Sequence, residues 1–387
     1  MIRMKDLKTC ISIVLLTGLT ANCGSPAGSP KASESRPLVT DVAHTDSKRQ
    51  SIGNCWLYAA ASWVESLELS YSNRVVNVSE SYWTWWHFYN QIVNNPAINT
   101  LETGGSWNVA RRIILQHGLV LEEEFIPEEF DQEMSLRQKQ AEERMNWELV
   151  NGLLKNPQDR TPANVRKVLD LAFGSNMANA ESQARQAEDL SLALADDGQV
   201  LSLRDLISSR SAYAWKEVYF PQLWGQNAVL DRRTELARKA LWKRVFRALN
   251  DKQPVIVRLM IDFNALNTRD GSFTGDRLTS KGMGSQGGHL IVAEDYTVTN
   301  VPGYGRIGRG DVSPELKEKA LEGLLESLVV KNSWGFNRPD RGIKNGITSF
   351  DRQYLESQFP WKNDADNPEA GVEWYTTLTS FVLPTGY

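Results

Sequence analysis

Three side chains have the types and order that acyl transfer through sulfur would need: Cys55, His289 and Asn332. A thiol nucleophile needs a base to take its proton, and the base needs a group that orients its ring. The chain holds three cysteines. Cys10 and Cys23 belong to the N-terminal leader described below, which leaves Cys55 without a disulfide partner. An unpaired thiol in an exported chain is a liability unless its reactivity is used. Four histidines could serve as the base: His44, His87, His117 and His289. His44 lies in a polar arm and is expected to be solvated. His87 sits in the aromatic run Tyr82 to Tyr89 and reads as a packing residue. His117 precedes Gly118 at a helix-ending pattern, where an imidazole meets the helix dipole. His289 follows the glycine-rich stretch Gly282–Gly288 and opens the apolar run Leu290-Ile291-Val292-Ala293, so it can project from a strand start into a cleft.

The elements that would hold these groups are legible around them. After Cys55 no Gly or Pro interrupts the chain until past residue 70, and Leu57, Ala60, Ala61, Val64 and Leu67 recur at helical spacing. A helix from Cys55 to about residue 69 puts the thiol at its N-terminus, where unpaired N–H groups and the dipole favour a thiolate. Gly53 lets the chain turn tightly into that helix. The apolar run Leu328-Val329-Val330 reads as a strand that ends at Asn332-Ser333-Trp334-Gly335.

Taken together, Gln50 followed by Gly53-Asn54-Cys55-Trp56, then Gly288-His289 at a strand start, then Asn332-Ser333-Trp334-Gly335, resemble the three signature segments of the papain-like cysteine peptidases. The order along the chain is also that family's. The resemblance implies Cys55 as nucleophile, His289 as its base and Asn332 as the orienting residue, with Trp334 covering the His–Asn hydrogen bond. It implies Gln50 as an oxyanion donor together with the Cys55 N–H, although Gln50 lies five residues before the cysteine where the family has six. Val78-Ser79-Glu80 resembles the start of the family's second helix. Gly104-Gly105-Ser106-Trp107 resembles its substrate-binding segment, where an extended peptide would lie against backbone. The region after Gly346 resembles the bleomycin hydrolase branch more than papain itself. No metal or cofactor is implied, and the partner expected is a peptide or protein substrate.

The resemblance covers residues 50–127 and 252–350. It implies an α+β, papain-like two-lobed fold, with a helical left lobe over 49–128 and a β-rich right lobe over 251–387. Strands are expected at Val255 to Ile261, Leu290 to Tyr296, Leu328 to Asn332, Gly346 to Phe350 and Trp374 to Leu383. Residues 129–250 hold no Cys or His and read as a helical insertion. Its helices are expected at Phe130 to Lys155, Pro162 to Phe173, Ser202 to Ser209 and Asp231 to Asn250. The insertion is read as a lid over the cleft or a surface decoration.

The N-terminus reads as an export signal over 1–23. Arg3, Lys5 and Lys8 precede the apolar run Ile11 to Leu19, which is too short to span a bilayer. The run ends in Leu19-Thr20-Ala21-Asn22-Cys23. Leu19 stands four before the cysteine, where the bacterial lipoprotein pattern has it three before. Two readings stay open: lipidation of Cys23 with attachment to a membrane of the cell envelope, or a plain cleaved signal that yields a periplasmic or secreted chain. Residues 24–48, rich in Ser, Gly and Pro at their start, are expected to be a flexible tether. The formal net charge is −4, and removal of Arg3, Lys5, Lys8 and Asp6 with the signal leaves −6. No basic face for nucleic acid is indicated. Thirteen tryptophans keep a second class in view, a surface binding protein without activity. Other thiol acyl transfers, such as deamidation, transglutamination or amide ligation, would use the same three residues.

Overall fold

The helix expected after Cys55 runs from Cys55 to Ser72 and ends at Asn73, whose left-handed backbone (φ 56°) returns its N–H to Leu69 O. It belongs to a computed structural model that describes residues 42–195, 197–310, 312–362 and 371–387. The signal, Cys23 and most of the expected tether lie outside these residues.

Helices dominate the first half. The Cys55 helix packs with Glu80–Asn94 and Trp107–His117 around a core that includes Trp56, Trp63, Trp83, Trp85 and Ile114. Ser79 caps the second of these helices by accepting the Tyr82 N–H, as its position before the aromatic run requires. The helices Leu136–Val150, Pro162–Phe173 and Met177–Gln183 bury Met145, Leu149, Val165, Leu169, Phe173 and Met177 in the same core. This part of the 129–250 segment is therefore built into the helical lobe, not laid on its surface. The helix expected from Phe130 begins only at Leu136, because Ser135 supplies the cap and Pro127–Glu129 forms a separate 3-10 turn. Pro162–Phe173 has the bounds expected of it, with Thr161 as cap and Gly174 in the left-handed conformation after it.

The 129–250 segment is also not wholly helical. Ser191–Leu194 and Val200–Ser202 form a small hairpin, and Lys216–Tyr219 is an edge strand of the main sheet. Its last helix, Arg232–Asn250, buries Leu241, Trp242, Val245 and Phe246 in the second core, beneath the sheet of the β-rich lobe.

That sheet has nine strands. Their order is Lys216–Tyr219, Leu378–Leu383, Val255–Asp262, Gln286–Val301, Leu324–Lys331, Ile347–Asp351, Ser272–Phe273 and Leu266–Asn267, with Gly305–Ile307 pairing on Gln286–Val301. The period-2 alternation of strands explains the continuous apolar runs at its centre. Val255, Val257, Leu259, Ile291 and Ala293 face the second core, while Ile256, Leu290 and Val292 face the helical lobe. Alternation breaks at Glu294, the extra residue of a bulge between the pairs Ala293–Val330 and Asp295–Val329. The strand expected from Trp374 to Leu383 is two strands. Val372–Thr376 pairs with Gln358–Lys362 in a separate hairpin, and the chain turns at Thr377 to enter the main sheet.

The two lobes are thus one helical and one β-rich, in an α+β fold. Among the described residues no helix is long and apolar enough to cross a membrane. The described end of the expected tether is part of the fold: Val42 and Ser47 are buried, and Val42 donates to Glu294 O. His44 is half-buried with Nε2 3.7 Å from Glu294 Oε2, where the sequence had suggested a solvated side chain.

Candidate active site

Cys55 is the first residue of its helix and is buried. Its sulfur lies where the Leu290, Trp56 and Cys55 N–H groups can bond it. Leu290 is the residue after His289, so the nucleophile's helix and the histidine's strand meet at the sulfur. His289 is buried in the strand Gln286–Val301, where it pairs with Leu259. Its Nε2 stands 2.9 Å from Asn332 Oδ1. With Nε2 donating to that oxygen, Nδ1 is the ring nitrogen left to accept a proton. Trp334 stacks on the imidazole at 5.0 Å between centroids and 18° between planes, which shields the His–Asn bond from water. Arg341 lies over the Trp334 ring at 5.1 Å.

Burial is the dominant influence on both Cys55 and His289. It pushes the Cys55 thiol up to about 11, against the pull of the three N–H groups. It pushes His289 down to about 4, opposed by the bond to Asn332 and assisted by Arg341. The sequence suggested a thiolate lowered by the helix N-terminus. In the structure burial of the sulfur acts against that effect.

Gln50 is held on both ends of its amide. Oε1 accepts from Ser333 Oγ at 2.5 Å, and Nε2 donates to Ile52 O at 2.8 Å. One amide proton remains for an oxyanion. The segment around Gln50 is strapped to the orienter loop, since the Gln50 N–H donates to Ser333 O and the Gly335 N–H to Lys48 O. Gly104 and Gly105 both lie exposed, but only Gly105 lies against Trp56. A Cβ on Gly105 would stand 2.3 Å from the Trp56 ring, whereas one on Gly104 would meet nothing within 4 Å. Gly287 and Gly288 are equally open on the approach to His289. The structure thus sets the Cys55 sulfur against the amide that follows His289 and joins His289, Asn332 and Trp334. Gly105 adjoins Trp56, the residue after Cys55. Cys23 lies outside the described residues. His87 bonds Glu102 O and meets Trp56 edge-on, and His117 stacks on Trp86.

Sequence reasoning missed a buried charge cluster behind the site. Lys48 Nζ donates to Glu80 at 2.8 Å and to Val78 O at 2.7 Å, and lies 3.6 Å from Glu65. Lys331, next to Asn332, donates to Thr45 Oγ and lies 3.4 Å from Glu65, while Thr45 donates to Glu65. Glu65 sits on the nucleophile's helix, so the cluster joins that helix to the orienter's strand. The one available signal was Lys331 itself, a charge closing an apolar strand. Among the described residues no group of His, Cys, Asp and Glu is arranged to hold a metal ion.

No family model matches the chain, and no curated protein matches it. Several solved structures align over most of its length. PepW from Lactobacillus rhamnosis is 11% identical, over 89% of this chain and 81% of its own, with a TM-score of 0.41. Xylellain, a cysteine protease from Xylella fastidiosa, is 12% identical over 93% and 91%, with a TM-score of 0.38. The digestive procathepsin L 3 of the Tenebrio molitor larval midgut is 14% identical over 90% and 73%, with a TM-score of 0.37. At such identities and TM-scores they speak neither to activity nor to the roles of residues.

Proposed function

We propose that the chain is a papain-like cysteine peptidase that hydrolyses peptide bonds through a thioester on Cys55. The observation that carries this reading is the His289–Asn332 bond under Trp334, with the Cys55 sulfur set against the amide that follows His289. His289 takes the thiol proton as sulfur attacks the peptide carbonyl. The Cys55 N–H, assisted by the remaining proton of the Gln50 amide, receives the charge on oxygen. The imidazolium then protonates the leaving amine, and the neutral ring activates water to release the acid and restore the thiol. An extended substrate would lie along Gly104 and Gly105, where the open face of Gly104 leaves room for a backbone.

The geometry supports Cys55 as the nucleophile and leaves the acyl acceptor open, so deamidation, transglutamination or amide ligation would draw on the same residues. Binding without catalysis is disfavoured by the complete Cys, His and Asn set. Within the family, a bleomycin-hydrolase-like assignment rests on the segment after Gly346, a strand followed by the helix Arg352–Glu356. Attachment to a cell-envelope membrane through a lipid on Cys23 belongs to the same proposal, and mass spectrometry of the mature N-terminus would test it. For the chemistry, a substrate ester trapped by acid quench should add its acyl mass to the Cys55 peptide. Acyl mass on any other residue, or none during turnover, would defeat the proposal.

A further inference from the structure

The turn that presents Cys55 is governed from a distance. Asn54, the residue before the nucleophile, occupies the cap position of the helix Cys55–Ser72, yet its side chain makes no cap bond. An asparagine there ordinarily accepts an N–H from the first turn. Here the Asn54 amide is drawn sideways. Nδ2 donates to Gln138 Oε1 and to Thr84 Oγ, both at 2.9 Å. Gln138 comes from the helix Leu136–Val150 in the segment outside the papain-like resemblance. It is 1% exposed. Its Nε2 donates to Ser81 Oγ at 2.9 Å, and its Oε1 also faces Tyr58 OH at 3.4 Å. The side-chain amide oxygen of Asn54, Oδ1, is buried without a hydrogen-bond partner. Of the first-turn N–H groups, that of Leu57 donates to the Asn54 backbone oxygen at 2.9 Å, and those of Cys55 and Trp56 face the sulfur.

We propose that Gln138 is a positioning residue: by holding the Asn54 side chain away from the helix end, it reserves the Cys55 and Trp56 N–H groups for the Cys55 sulfur and the charge formed beside it. The inference rests on Cys55 being the nucleophile. It gives the 129–250 segment a bracing role where a lid or a surface decoration was expected. The same stretch grips the other side of the site, because Glu133 accepts the Phe336 N–H with its carboxylate and the Arg49 N–H with its backbone oxygen.

The test is the rate at which iodoacetamide modifies Cys55 across pH, read by intact mass in the full chain. Gln138→Met removes the side chain's bonds to Asn54, Ser81 and Tyr58 at similar volume and frees Asn54 to cap its own helix. Alkylation at pH 7 should then slow about tenfold, the loss expected when a buried hydrogen-bond arrangement is undone, and its midpoint should move to higher pH. Gln138→Glu keeps the oxygen that accepts from Asn54 and should retain more of the rate. The double variant Gln138→Met with Asn54→Ala has no side chain to compete for the N–H groups and should recover the rate relative to Gln138→Met alone. A merely structural glutamine would lower the melting temperature while leaving the alkylation profile unchanged, and that result overturns the inference. So does additive slowing in the double variant. A folded wild type that cleaves no peptide but shows this alkylation pattern would uphold the brace and remove the peptidase reading.

Discussion

Replacing Lys48 with Met should destabilise the protein in a way that depends on pH. Lys48 is the cation nearest Glu80 and lies between it and Glu65, and both carboxylates are nearly inaccessible. Burial raises Glu80, and Lys48 is the first of the groups that hold it back. Without that ammonium the folded protein keeps Glu80 neutral, since an unpaired buried carboxylate is costlier than protonation. The unfolded chain has Glu80 at its ordinary 4.5. Holding the proton at pH 7 therefore costs about 1.4 kcal/mol for each unit above that value, or roughly 3 kcal/mol, within the range for breaking one side of a buried pair. The sign follows from the raised folded value. The variant's deficit is small below pH 4.5 and grows as pH rises toward the new folded value. Glu65, held low by Lys48 and Lys331 against its burial, gives the wild type stability above 4.5 that is lost on acidification, which narrows the gap further in acid. Urea unfolding followed by tryptophan fluorescence at pH 5, 6, 7 and 8 measures this. A deficit that stays constant with pH, or one below about 1 kcal/mol at pH 7, would refute the reasoning.

Three further perturbations bear on the site. Asn332→Ala removes the acceptor that orients His289, a loss of about 1–3 kcal/mol or roughly 5- to 150-fold in turnover. Cys55 should remain alkylatable in that variant, and a chain that no longer folds would show Asn332 to be structural. Burial holds His289 near 4, so the acid limb of kcat/KM should lie well below 6.5. Trp334→Ala admits water to the ring and should move that limb upward toward 6.5, and a limb that stays in place would contradict the shielding role. Gly105→Ala would drive a methyl into Trp56 and should cost about 1–3 kcal/mol of stability. Gly104→Ala should leave stability unchanged and raise KM for peptides, and equal melting losses in both would remove the distinction.

Local signals carried much of the architecture into the sequence. The uninterrupted run after Cys55, the Thr161 cap with Gly174 and the Ser202–Asp205 capping box all mark helix ends that the structure reproduces. The apolar runs at Val255 and Leu290 are strands because the sheet is covered on both faces. What escaped depends on distant partners. Composition gave no sign that Val42 to Gln50 would be tied down, since its bonds run to Glu294, Glu133, Ser333 and Gly346. The break at Thr377 comes from a change of sheet. Asn332 and His289 were recognisable through neighbouring residues, whereas Gln138 meets Asn54 across 84 positions with no local pattern to announce it. The burial that acts on the Cys55 thiol escaped for the same reason, because the helix end is visible in sequence and the depth of burial is not.

The central claim is that this chain cuts peptide bonds with Cys55. The most direct measurement incubates a diverse peptide mixture with wild type and with Cys55→Ala under reducing conditions and reads the products by mass spectrometry. The account predicts new termini with wild type that are absent with the variant. A folded wild type that yields no products, or products that persist in Cys55→Ala, would contradict it.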